Sequence, residues 1–140
     1  YDARTQIIEL VRAHLRPGEF YTKREDISDG AFRRLARKVE MDLLYRLSKA
    51  DNLSRNGDWL PREKWFTGKA EEWFIAKTRE LNVEKSAPQP ILLGRHLIEL
   101  GLKPSPQFGE ITKAVYELQL DGKISNLDEA IESAKSLIKT

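Results

Sequence analysis

The chain lacks cysteine altogether and holds one methionine and two histidines among its 140 residues. Without thiols it forms no disulfide, carries no thiolate nucleophile and ligates no zinc through sulfur. That agrees with a reducing compartment, and the expected location is cytoplasmic. No apolar run reaches the length of a membrane span and no signal-peptide pattern is present, so no membrane partner is expected. Charge of one sign is scarce as well: 24 Lys and Arg against 22 Asp and Glu leave a formal net charge of +2. Any surface for nucleic acid must therefore be a local patch rather than a global field. Phosphate-loop, nucleophile-elbow and His-Glu-x-x-His motifs are missing too, as is the Gly-Ser followed by Asp-x-Asp that holds two metal ions in nucleotidyl transfer. No alternating strand pattern exceeds three residues, and there is no internal repeat.

What is present is helical periodicity. Ile7, Ile8, Val11, His14 and Leu15 recur at the spacing of one helix face, which Pro17-Gly18 is expected to terminate. Ser28-Asp29-Gly30 caps a second helix on Phe32, Leu35, Ala36 and Val39. Asp42 opens a third on Leu43, Leu44, Leu47 and Leu53. After an irregular tip over 57–64, a fourth runs from about Thr67 through Ala70, Trp73, Phe74 and Lys77, fraying near Asn82. Residues 84–91, with Pro88, Pro90 and no periodicity, have linker composition. Beyond them a short helix covers Leu97, Ile98 and Leu100, and Gly101 stands where a left-handed C-cap residue belongs. Pro104 and Pro106 make a corner, and Pro106 suits the start of the next helix, on Ile111, Val115 and Leu118. Asn126 caps a last helix through Ala130, Ile131, Ala134, Leu137 and Ile138. The expected fold is all-α: a bundle of about four helices over 1–83, a linker over 84–91 and a small helical tail over 92–140. The chain opens on Tyr1 rather than Met, inside a helical pattern, and so reads as a C-terminal piece of something longer.

Two polar residues fall on apolar stripes. His14 lies seven after Ile7, and Asp51 lies four after Leu47 and seven after Leu44, so both are expected to point inward. A buried carboxylate must be paired, hydrogen-bonded or metal-bound. Asp51 and His14 are therefore candidate metal ligands, or an internal hydrogen bond or ion pair. On either basis Asp51→Ala is expected to destabilise by ~1–3 kcal/mol. The basic run Arg33-Arg34-Leu35-Ala36-Arg37-Lys38 sets Arg33 near Arg37 and Arg34 near Lys38, one turn apart and opposite Phe32 and Leu35. Such a face neutralises phosphates or is simply solvated. Trp59, Arg62, Lys64, Trp65 and Phe66 interleave aromatics with cations, as base stacking requires, although most of these rings also suit core packing. Trp59, in a loop, is the one expected to be exposed. Lys103, beside the proline corner and a helix N-terminus, is a further candidate phosphate contact.

Residues 92–126 carry a pattern of their own: Gly94-Arg95-His96-Leu97, Leu100-Gly101, Pro104-Ser105-Pro106, Gly109-Glu110-Ile111 and then Asp121-Gly122. It resembles the C-terminal tail of bacterial CCA-adding enzymes (tRNA nucleotidyltransferases) and the related poly(A) polymerases. Two positions depart from that family, since His96 replaces the usual acid and Ser105 the glycine between the prolines. Leu10-Val11-Arg12-Ala13-His14-Leu15-Arg16-Pro17 and Lys49-Ala50-Asp51-Asn52-Leu53-Ser54-Arg55 resemble the later helices of an HD-type phosphohydrolase domain. Asp51 matches that superfamily's final metal-binding Asp and His14 a nearby histidine, but the His-Asp pair is absent. The resemblances imply the end of an HD domain followed by the tail of a CCA-adding-type enzyme, contributing scaffold and RNA contacts without the catalytic head. They imply tRNA or other structured RNA as partner, the N-terminal domains of the same polypeptide as a second, no cofactor in this chain, and a divalent metal such as Mg²⁺ for the parent. The alternatives are part of an HD phosphohydrolase, with Asp51 as ligand, and a helical interaction domain without chemistry.

Overall fold

Helix ends set the architecture of the chain. The computed structural model describes residues 2–138; the opening Tyr1 and residues 139 and 140, at the outer edges of the expected 1–83 and 92–140 divisions, lie outside the described residues. Among those described there are eight α-helices and one short 3-10 helix, and no strand: α1 (Ala3–Ala13), α2 (Arg16–Thr22), α3 (Asp29–Ala36), α4 (Met41–Leu53), the 3-10 turn Arg62–Lys64, α5 (Lys69–Glu80), α6 (Gly94–Glu99), α7 (Pro106–Leu120) and α8 (Leu127–Leu137). The fold is all-α. Asp2, Ser28 and Asn126 each accept the backbone N–H three residues on, which fixes the starts of α1, α3 and α8. Helices α5, α6 and α7 all stop in one way. Asn82, Gly101 and Gly122 take positive φ, and the following N–H returns to a carbonyl five residues back: Val83 to Thr78, Leu102 to Leu97 and Lys123 to Leu118.

The chain divides into two compact units, Tyr1–Ala87 and Pro88–Thr140. The first is built on Phe32, Met41, Leu44, Phe74 and Val83, with Ala13, Leu35, Ala36 and Val39 around them. Phe20 meets Phe32 edge-on with centroids 5.0 Å apart, and Phe74 lies 5.6 Å from Phe32, so α2, α3 and α5 share an aromatic centre. The second unit closes on Leu92, Leu97, Ile111, Val115, Ile124, Ala130 and Ala134. Ala130 and Ala134, four apart and fully buried, bring α8 close against α7. Residues 84–91 are tied at both ends. Glu84 O accepts from Asp42 N and Ala87 packs on the first core, whereas Pro88 O and Gln89 O accept from Tyr116 and Gln119 of α7.

Three expectations are corrected. Pro17 does not end a helix; it sits in the first turn of α2, where its missing N–H has no partner to lose, so the first unit has five α-helices. On α1 the inward face is Leu10 and Ala13, while Ile7, Val11 and, beyond its end, Leu15 are each more than half exposed. On α4 the buried line is Met41, Leu44 and Ser48, leaving Leu47 and Leu53 at the surface. In both helices the stripe is rotated by about one residue, roughly 100°. Each helix has more apolar positions than its buried face uses, and packing, not periodicity, selects among them.

Candidate nucleic-acid interface

Helix α3 is short, and Lys38 lies in the turn beyond its end, its N–H donating to Leu35 O at 2.9 Å. That turn carries Arg37 and Lys38 to the same side as Arg34. Helices α1 and α2 approach from the other side and supply Arg12 and Arg16. The result is an open cleft of about 680 Å³ whose lining combines the apolar Ala13, Phe20, Ala31 and Leu35 with five cations. Among the described lining residues Glu9 is the one acid; it pairs with Arg12 at 3.2 Å, while Arg16 pairs with Glu19 at 3.0 Å. Both arginines are well exposed, so these pairs are weak and exchangeable. Of the sequence candidates, Arg34, Arg37 and Lys38 line the cleft and Arg33 does not. Arg12 and Arg16 were missed; their signal was a four-residue spacing along the flank of the α1 stripe. Lys103 is an exposed residue of the other unit, between the Gly101 turn and α7.

The two metal candidates are each engaged within their own stretch of chain. Asp51 pairs with Arg55, one turn on, at 3.0 Å, and its side chain is 36% exposed rather than buried. The His14 ring nitrogen Nδ1 meets Val11 O, and His14 is half-buried at the end of α1. Among the described residues no three His, Asp or Glu side chains gather into a metal-binding group. The buried carboxylate of this unit is instead Glu71, 2% exposed, accepting from Ser48 Oγ and Asn52 Nδ2 across the α4–α5 contact. Its signal was present: Glu71, Phe74, Ile75 and Thr78 recur at one helix face, and Ser48 and Asn52 stand four apart on the partner.

In the tail, His96 is buried and its Nδ1 accepts Leu93 N–H at 2.9 Å. It lies at the third position of α6 and reaches back to the N-cap backbone, as an acid does in a capping box. The imidazole therefore supplies the acceptor that a Glu or Gln supplies in a capping box. At the tip of the first unit Trp59 is 71% and Phe66 41% exposed, Trp65 is half-buried, and Phe74 is in the core.

No family model matches the chain, and no solved structure does. A 54-residue stretch, 38% of the chain, is 41% identical to a CC-adding tRNA nucleotidyltransferase of Synechocystis sp.. That stretch covers 13% of the Synechocystis protein's length. Over those 54 residues the chain is similar to that tRNA nucleotidyltransferase.

Proposed function

We propose that the chain is the C-terminal helical portion of a CCA-adding-type tRNA nucleotidyltransferase, where it serves as scaffold and grips the RNA backbone, the catalytic head being elsewhere. In this reading 1–83 is the end of an HD-like domain and 92–140 the tail. The observation that carries it is the cleft joining Arg12 and Arg16 to Arg34, Arg37 and Lys38, in a chain with 41% identity over 54 residues to a tRNA nucleotidyltransferase. Five cations along one cleft, in a protein of net charge +2, concentrate positive potential where a phosphate backbone fits. A helix-walled cleft meets A-form RNA through shape and phosphate and shows little sequence preference. Arg33 and Lys103 are secondary phosphate contacts. Transfer chemistry, with its divalent metal such as Mg²⁺, belongs to the absent head.

Titrating the 140-residue protein with a tRNA transcript and incubating the complex with CTP, ATP and Mg²⁺ tests the reading. Salt-sensitive binding without nucleotide addition is expected. Undetectable binding at low salt, or addition that scales with the protein, contradicts it. The phosphohydrolase alternative draws no support from Asp51, which is bound to Arg55.

A further inference from the structure

The loop between α4 and α5 exposes the most solvent-accessible large hydrophobic residue among those described, Trp59, yet it is firmly built. Asn56 clamps Phe66 in both directions, Nδ2 donating to Phe66 O and Phe66 N donating to Oδ1, each at 2.7 Å. The Trp65 indole N–H donates to Leu60 O at 2.9 Å and also reaches Gly57 O. The Arg62 guanidinium lies 4.7 Å from the Trp65 ring centroid. Gly57 leaves room for the pyrrole edge of Trp59: a Cβ there would stand 3.0 Å from Trp59 Cδ1 and Nε1. One edge of the Trp59 indole is thus seated on backbone while 71% of the residue remains in water.

We propose that this loop is a stacking platform for an unpaired base of RNA, with Trp59 as the stacking ring, Phe66 as a second exposed ring held by Asn56, and Arg62 and Lys64 as phosphate contacts. The inference rests on the RNA reading above and adds a second, single-strand-specific site to it. A ring held in place before binding loses little freedom on contact, so stacking is only slightly opposed by ordering. The large exposed apolar side chains of the 56–66 segment are two aromatic rings interleaved with cations, which suits a nucleobase and its phosphate better than an aliphatic protein surface. Arg55, Arg62 and Lys64 against Asp58 and Glu63 leave 55–66 with a net charge of +1 (3 − 2). Binding here is therefore led by stacking and responds weakly to salt, unlike binding at the cleft.

The test compares short oligoadenylate and oligocytidylate single strands with a blunt RNA duplex, on the full chain, by fluorescence anisotropy. Trp59→Ala should weaken the single strands by roughly five-fold to a hundredfold and leave the duplex unchanged. Trp59→Phe should retain part of the affinity, and Gly57→Ala, which displaces the ring, should lose affinity without removing it. Tryptophan fluorescence should be quenched by oligonucleotide in the wild type and much less in Trp59→Phe. Unchanged single-strand affinity in Trp59→Ala, with duplex binding intact, overturns the platform, assigns the exposed ring to protein contact or plain solvation, and leaves the cleft reading standing. Equal loss on strand and duplex also overturns it. Absence of binding to either RNA by the wild type overturns both.

Discussion

Glu71 and Asp51 invert the roles that their neighbourhoods in the sequence imply. Glu71 holds a buried carboxylate between two donors from α4, so Glu71→Ala leaves Ser48 and Asn52 without their acceptor. A loss of ~1–3 kcal/mol is expected in denaturant unfolding. Asp51, paired on the surface with Arg55, should change stability by no more than about 0.5 kcal/mol on replacement with Ala. Equal effects at the two sites would contradict this assignment. His96 gives a third test at the same scale. His96→Ala removes the acceptor from Leu93 N–H and should destabilise the tail by ~0.5–1.5 kcal/mol, whereas His96→Glu, which restores a capping acceptor, should recover most of it.

Helices and their ends behave more predictably than individual faces. The caps at Ser28 and Asn126, the left-handed stop at Gly101 and the Pro106 start were all readable, because each depends on a few adjacent residues and on backbone geometry. The faces of α1 and α4 were not: Ile7, Val11 and Leu15 have the right spacing for a core stripe, but Leu10 and Ala13 meet the first core instead. Burial is decided by partner helices, which local spacing does not encode. Asn82 was likewise read as fraying, although it terminates α5 with φ of 59°. Asn82→Ala should therefore destabilise by ~1 kcal/mol and Asn82→Gly should not. Between α4 and α5, the Lys49 ammonium donates to Glu72 and, with a hydrogen bond from Tyr45, holds its carboxyl below the usual range. Lys49 is raised by Glu72 and then by Tyr45. A lowered carboxylate stabilises fully above its unfolded value, near pH ~4.3, and the gain is lost as pH falls through the native value. A raised lysine stabilises below ~10.4, and that gain is lost as pH rises through its own native value. Glu72 is exposed and Lys49 half-buried, so water still reaches the pair and the effect is small and screened by salt. Glu72→Gln should flatten the acid limb of the stability profile; an unaltered limb would mean that this link contributes nothing.

On the scale of the whole molecule, the all-α class and the helical tail followed from composition and punctuation, but the cleft did not. Its walls are 18 or more residues apart (34 − 16), Arg12 and Arg16 on one side and Arg34, Arg37 and Lys38 on the other, and only folding assembles them. The basic run of α3 was visible by itself, without the two arginines that turn a charged face into a concave site. The central claim is that this site holds RNA by its phosphates. Its most direct test is the salt dependence of tRNA binding by the wild-type chain and by a variant carrying Arg34→Glu and Lys38→Glu, with Arg12→Glu as a second variant on the opposite wall. The account predicts weaker binding by similar factors on any duplex, and a log–log salt slope shallower by about one per lost phosphate contact. Wild-type affinity and slope in both variants would contradict it.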